Sequence, residues 1–176
     1  MKSVLISIRP EWCHVIASGK KTVEVRKTKP KLETPFKVYI YCTKDEPMYR
    51  SGEKFWCPND DCGNGKVIGE FVCDTIITDK TFGHDALFRA AACMSDAEAA
   101  AYCTNNEMYG WHISHLKIYD EPIELSEFWG ADKCPYANKD GCTYKYHCFR
   151  AGQTKRCGDT LTRPPQSWCY VEEGNR

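Results

Sequence analysis

Gly19-Lys20-Lys21-Thr22-Val23-Glu24-Val25-Arg26-Lys27 alternates Thr22, Glu24 and Arg26 against Val23 and Val25, the period of two expected of a strand with one buried face. Glu24 and Arg26 leave such a strand on the same side, and Lys21 sits at its mouth beside Gly19. Charges packed this closely fit a solvated edge strand, where they resist aggregation, or the lining of a site. The preceding residues bear on that choice. Residues 4–9 read as a buried strand and residues 10–18 as a short helix. Pro10 suits the first turn, Glu11 the positive end of the helix dipole, and Gly19 a left-handed cap. The order is strand, short helix, glycine turn, charged strand.

That order, carried by Ser7-Ile8-Arg9-Pro10-x-Trp12 and then Gly19-x-Lys21-x-x-Glu24-x-Arg26, resembles the ASCH family of the PUA-like superfamily. The likeness runs over residues 3–128 plus a final strand. It implies an α+β fold, a small, mixed, partly open β-barrel with flanking helices over residues 1–130, and a cleft lined by the signature. The family's ligands imply RNA or a modified nucleoside as partner, and no membrane. On this resemblance Arg9, Trp12, Lys21, Glu24, Arg26 and Trp111 are the base-binding candidates. Lys21 and Arg26 would meet phosphate or a carbonyl, and Glu24 would accept from base amino groups.

Some members of the family are amidohydrolases that deacylate N4-acetylcytidine with a lysine of this motif, a threonine and a glutamate, and others are reported to cleave RNA. Lys21 matches that lysine, whereas Glu24 stands in the threonine's place. Lys21 and Glu24 are therefore the catalytic candidates of a second, enzymatic reading. A carboxylate beside a lysine favours the ammonium over the free amine that base catalysis needs, so binding is the first reading. No residue selects a third role, as a protein-interaction adaptor.

The length, 176 residues, suits one domain with a small appendage. No run of 18 apolar residues occurs, and the N-terminal apolar stretch is too short for a secretory signal; a cytoplasmic protein is expected. With 24 basic and 24 acidic residues the chain is formally neutral, which argues against a general nucleic-acid coat. A local patch stands out, with Lys20, Lys21, Arg26, Lys27, Lys29 and Lys31 against the single acid Glu24. Such a run suits phosphate contacts or a solvated face.

Twelve cysteines in a chain without a secretory signal point to thiols or metal ligands rather than disulfides. Cys13, Cys42, Cys73, Cys93, Cys103 and Cys169 lie in apolar or helical segments and read as small buried hydrophobes. Cys57 and Cys62, in a polar loop over residues 44–65, fit half a zinc site or two plain thiols. Residues 131–160 form a Cys-rich lobe with the spacing Cys134-x7-Cys142-x5-Cys148-x8-Cys157 and no apolar periodicity. Its first three cysteines resemble the opening of a CCCH zinc finger, but Gly152 stands where the histidine would be. Cys134, Cys142, Cys148 and Cys157 are the expected ligands of a structural zinc, with His147 as the alternative fourth, and free thiols or disulfides as the competing reading. Four protein ligands close the site, so such a zinc orders the segment without activating water.

The remaining pattern is regular. Strands are expected over residues 36–43 and 65–77, with a bulge or bend at Gly69. Residues 84–104 read as two short helices broken near Met94, with Ser95 and Glu98 forming a capping box. In a strand over residues 109–119, Trp111, Ile113, His115, Lys117 and Tyr119 would share a face, with His112 pointing away from His115, so the two histidines share no metal. Trp111 fits a stacking platform or the core. Residues 161–176 enter through Pro164 and Pro165 and return to the barrel as a last strand.

Overall fold

Val4, Leu5, Ile6 and Ile8 are at most 2 % exposed, because the strand that carries them, β1 (Lys2–Ile8), has a neighbour on each side. It runs parallel to β3 (Phe36–Cys42) and antiparallel to β11 (Trp168–Glu172), the last strand. In this computed structural model the described residues are 2–44, 65–79, 86–103, 108–130 and 160–172, with the backbone of two small hairpins. The hairpins are β4 (Tyr49–Arg50) with β5 (Glu53–Lys54), and β9 (Ala137–Asn138) with β10 (Gly141–Cys142).

The other elements are α1 (Pro10–Ala17), β2 (Val23–Arg26), β6 (Val67–Asp79), α2 (Ala86–Ala92), α3 (Asp96–Cys103), β7 (Met108–Ile123) and β8 (Trp129–Gly130). The main sheet is mixed, with the order β2-β7-β6-β3-β1-β11-β8. The expected α+β class holds; among the described residues β2 and β8 are the edges of the sheet, so the barrel is not closed. The sheet is curled. Arg26 on the β2 edge donates from Nη2 to the Ser7 carbonyl on β1 at 2.7 Å, although three strands separate β2 from β1 in the ladder. Beyond it, Trp168 Nε1 donates to Thr28 Oγ1 at 2.9 Å and the Lys31 amide donates to the Tyr170 hydroxyl at 2.6 Å. Side chains therefore bridge where a barrel would have a backbone ladder.

Alternation sorts the core. Val4, Ile6, Val38, Ile40, Phe71, Cys73, Trp111 and Ile113 fill the inside of the curl, which α1 closes with Cys13 and Ile16. Leu5, Tyr39, Val67, Phe128 and Val171 pack on the opposite face. Val23 and Val25 meet Phe88, Ala92 and Met108, so both faces of β2 are covered.

The ladder slips between Val67 and Gly69, as the glycine suggested. A Cβ at Gly69 would lie 2.5 Å from the Lys117 carbonyl oxygen. A second irregularity changes the reading of β7. His115 has φ +48, and the register passes from Val72↔Ser114 to Glu70↔Lys117, three residues against two. One extra residue turns the side chains beyond it over. Leu116 therefore joins Trp111 and Ile113 inside, while Tyr119 donates to Glu70 Oε2 at 2.6 Å; His115, Lys117 and Tyr119 do not share Trp111's face.

The helix break is as expected. Ser95 Oγ accepts from the Glu98 amide at 3.2 Å, and Glu98 Oε2 accepts from the Ser95 amide at 2.9 Å. Cys13, Cys42 and Cys73 are buried, Cys93 and Cys169 half-buried. Cys57, Cys62, Cys134, His147, Cys148 and Cys157 lie outside the described residues, and of Cys142 and Cys103 only the backbone is described. Thr160 bridges back to Trp129, and the Leu161 amide donates to the Phe128 carbonyl at 2.8 Å. Among the described residues no helix is long and apolar enough to cross a membrane.

The two glycines predict different costs. Gly69→Ala must push back a ladder carbonyl and is expected to lose about 2–3 kcal/mol. Gly19, at φ +74 with nothing within 4 Å of a built Cβ, carries only left-handed strain, about 1 kcal/mol as Ala. Urea unfolding followed by circular dichroism measures both, and the reverse order would contradict the close approach at Gly69.

Candidate functional site

The end of α1 aims Lys21 inward. Gly19 turns the chain left-handed, its amide donates to the Ile16 carbonyl at 2.8 Å, and the amides of Lys20 and Lys21 both donate to the Val15 carbonyl at 3.1 Å. This satisfies helix-terminal carbonyls in the Schellman manner. The Thr22 amide then donates to the Ala91 carbonyl at 2.9 Å, and the Thr22 carbonyl accepts from the Ile113 amide at 2.8 Å. Lys21 enters the structure held on both sides by main-chain bonds.

On β2, Glu24 pairs with Trp111 and Arg26 with Tyr109 across the ladder to β7. Direct cross-strand partners share a face, so Glu24 and Trp111 both point inside the curl. The charged face is not solvated: Lys21 is 5 % and Glu24 7 % exposed. This corrects the expectation of a strand with one buried face.

Glu24 Oε1 lies 3.0 Å from Arg26 Nη2, and Oε2 lies 3.6 Å from Lys21 Nζ. Lys21 Nζ also donates to the Ala92 carbonyl at 2.6 Å and stands 5.1 Å from the Trp12 ring centroid. Ala92 ends α2, so the ammonium sits at the negative end of that helix. Removing three charges from water costs several kcal/mol for each ion, and only close pairing and hydrogen bonding offset it. Among the described residues one carboxylate here faces two cations, a formal excess of +1 in the cluster. Among the described residues two buried donors, Arg26 Nε and Trp111 Nε1, have no hydrogen-bond partner, a condition that costs about 1–3 kcal/mol per group. Both features call for an acceptor or an anion.

Two buried thiols of the inner core, Cys13 and Cys73, are shifted away from nucleophilic character. Burial pushes the Cys13 thiol well above its usual range, the Cys42 thiol and the Glu24 charge push it further, and Arg26 only partly opposes them. Cys73 is pushed up to about 12, chiefly by burial. Reactive cysteines need the opposite shift.

Of the sequence-derived candidates, Lys21, Glu24 and Arg26 come together, with Trp12 half-buried under Lys21. Trp111 is 0 % exposed, edge-on to Phe36 at 5.8 Å and 6.0 Å from Trp168. It offers no free ring face for stacking in this structure, only its Nε1. Arg9 is apart from the others, its side chain 71 % exposed and 3.9 Å from Glu11. His112 pairs with Asp74 at 2.7 Å and thereby holds that carboxyl below its usual range. Among the described residues no three His, Cys, Asp or Glu side chains group as a metal site. Sequence reasoning missed the carbonyls of Ser7 and Ala92, which carry no side-chain signal, and the unpaired donors, which depend on what lies around them.

The ASCH domain profile matches residues 6–126. No curated protein matches the chain. Three crystal structures from Zymomonas mobilis are similar to it. One, of a mutant of that organism's ASCH protein, has TM-score 0.53 at 21 % identity, covering 71 % of this chain and 77 % of that one. One of ASCH from the same organism has TM-score 0.52 at 21 % identity, covering 70 % and 73 %. A second mutant has TM-score 0.58 at 17 % identity, covering 97 % and 88 %. At these identities the likeness concerns the fold. The profile spans well over half of the residues, and by that match the chain belongs to the ASCH domain family.

Proposed function

We propose that the protein binds RNA or a modified nucleobase at the Lys21–Glu24–Arg26 cluster. One observation carries this reading: among the described residues two buried donors, Arg26 Nε and Trp111 Nε1, have no acceptor, and they lie beside a carboxylate and a surplus positive charge. A base edge presents the complement, with carbonyl oxygens and ring nitrogens for the two donors and an amino group for Glu24. Lys21 supplies charge and holds the cluster in place, since its Nζ already donates to Ala92. Its close polar contacts, to Glu24 and to the Ala92 carbonyl, lie within the protein, and Glu24 stands where the amidohydrolases carry a threonine; both disfavour the amidohydrolase and ribonuclease roles for Lys21 and Glu24. Turnover of N4-acetylcytidine or RNA that disappears in Lys21→Ala would reverse that order.

The informative variant is Trp111→Phe, which removes one orphan donor and keeps an aromatic ring in the core. Binding of a nucleoside or short RNA, followed by fluorescence anisotropy, is expected to weaken roughly tenfold, the worth of one hydrogen bond. Unchanged affinity would sink the reading. Glu24→Gln is expected to cost about 3–5 kcal/mol of stability by leaving two cations unpaired. The same change at Glu70, which is more exposed, lies 3.5 Å from Lys37 and as Gln still accepts from Tyr119, is expected to cost about 1 kcal/mol. Equal losses in chemical denaturation would mean that Glu24 is solvated.

The Cys-rich lobe is proposed to hold one structural zinc through Cys134, Cys142, Cys148 and Cys157. The support is the donor set, four thiols in a segment without apolar periodicity. Elemental analysis is expected to find about one zinc per chain and its loss in Cys142→Ser; a metal-free purified protein would remove the proposal.

A further inference from the structure

The basic run divides in two. Lys21 and Arg26 turn inside, whereas Lys27, Lys29 and Lys31 are exposed. None of these three lysines has a carboxylate within ion-pair distance among the described residues. Some other cations do, including Lys66 with Glu124 at 3.1 Å and Arg89 with Asp96 at 2.7 Å. The segment is nonetheless held. Pro30 is buried, Trp168 Nε1 donates to Thr28 Oγ1, and the Lys31 amide donates to the Tyr170 hydroxyl. Lys27 Nζ lies 5.0 Å from the Tyr102 ring centroid and Lys29 Nζ 5.3 Å from that of Tyr109. Three like charges within five residues repel one another, and a loose loop would relieve the repulsion by spreading. This loop instead bridges the curl with its cations turned to solvent, directly after Arg26.

We propose that Lys27, Lys29 and Lys31 form a ridge that contacts successive phosphates of a single-stranded polynucleotide whose base occupies the interior cluster. The inference rests on the base-binding reading and narrows it: a free nucleoside carries no phosphate for these lysines, so the ligand is a strand. Each phosphate neutralised on a single strand contributes about 0.7 to the slope of log affinity against log salt.

The test follows binding of a short unstructured RNA to the full chain across a potassium chloride series. With Lys27, Lys29 and Lys31 all changed to Gln, the slope is expected to shrink by about 2 and low-salt affinity to fall about a hundredfold. Lys29→Gln alone is expected to remove about 0.7 of the slope. Melting temperature stays near that of the parent, because the three side chains are exposed. An unchanged slope, no RNA binding by the parent chain, or displacement of RNA by polyglutamate as readily as by unlabelled RNA would each overturn the ridge. Trp111→Phe separates the two ideas: it is expected to weaken binding at constant slope. A slope that flattens in the lysine variants while Trp111→Phe has no effect would leave the ridge standing and remove the base site.

Discussion

The carboxylate of Glu24, held between the ammonium of Lys21 and the guanidinium of Arg26, is the constraint from which much of this fold follows. Through Lys21 it reaches the Gly19 turn and the last carbonyl of α2. Through Arg26 it reaches the Ser7 carbonyl on β1. The cluster thus ties the edge strand, a helix end and the sheet centre together, and it does so across the opening that keeps the sheet from being a barrel. An ion cluster used as a strut is an unusual choice, because apolar residues of the same volume often stabilise as well or better. Its two unpaired donors make it poorer still as pure structure. Departures from good packing of this kind concentrate at functional sites.

The surrounding core explains why the cluster stays polar and ordered. The inner face of the curl is lined by Val, Ile, Phe and Trp, and Cys13 beside the charges stays a neutral thiol. In so apolar a setting each hydrogen bond is stronger than in water, and each missing one costs more. The other face of β2 packs Val23 and Val25 on α2. The strand therefore cannot slip by one residue without exchanging valines for charges, which fixes its register.

Much of this was legible in the sequence, and what was not has a common cause. An apolar run located β1, alternation located β2, β3 and β11, and glycine marked both the turn at Gly19 and the slip at Gly69. The Ser95–Glu98 cap followed from spacing alone. These are local rules. The misreadings concern what lies at a distance: the burial of β2's charged face depends on α1, β1 and β7, and the open edges depend on strands far apart in sequence. The β7 faces inverted because His115 adopts φ +48 without the glycine that would have announced it. Cys93, at φ +53, ends α2 in the same unannounced way. Lys21, Glu24 and Arg26 were identified by a motif, but their partners Ser7 and Ala92 contribute carbonyls, which every residue has.

The bridge from Trp129 to Thr160 has an evolutionary consequence. The chain leaves the sheet at Gly130 and resumes beside its point of departure, so whatever lies between is an excursion with coincident ends. Lengthening such an excursion costs the folded sheet little, since closure entropy grows only with the logarithm of its length. Residues 131–159 can then diverge, be replaced or acquire a new partner while β11 continues to seal β1.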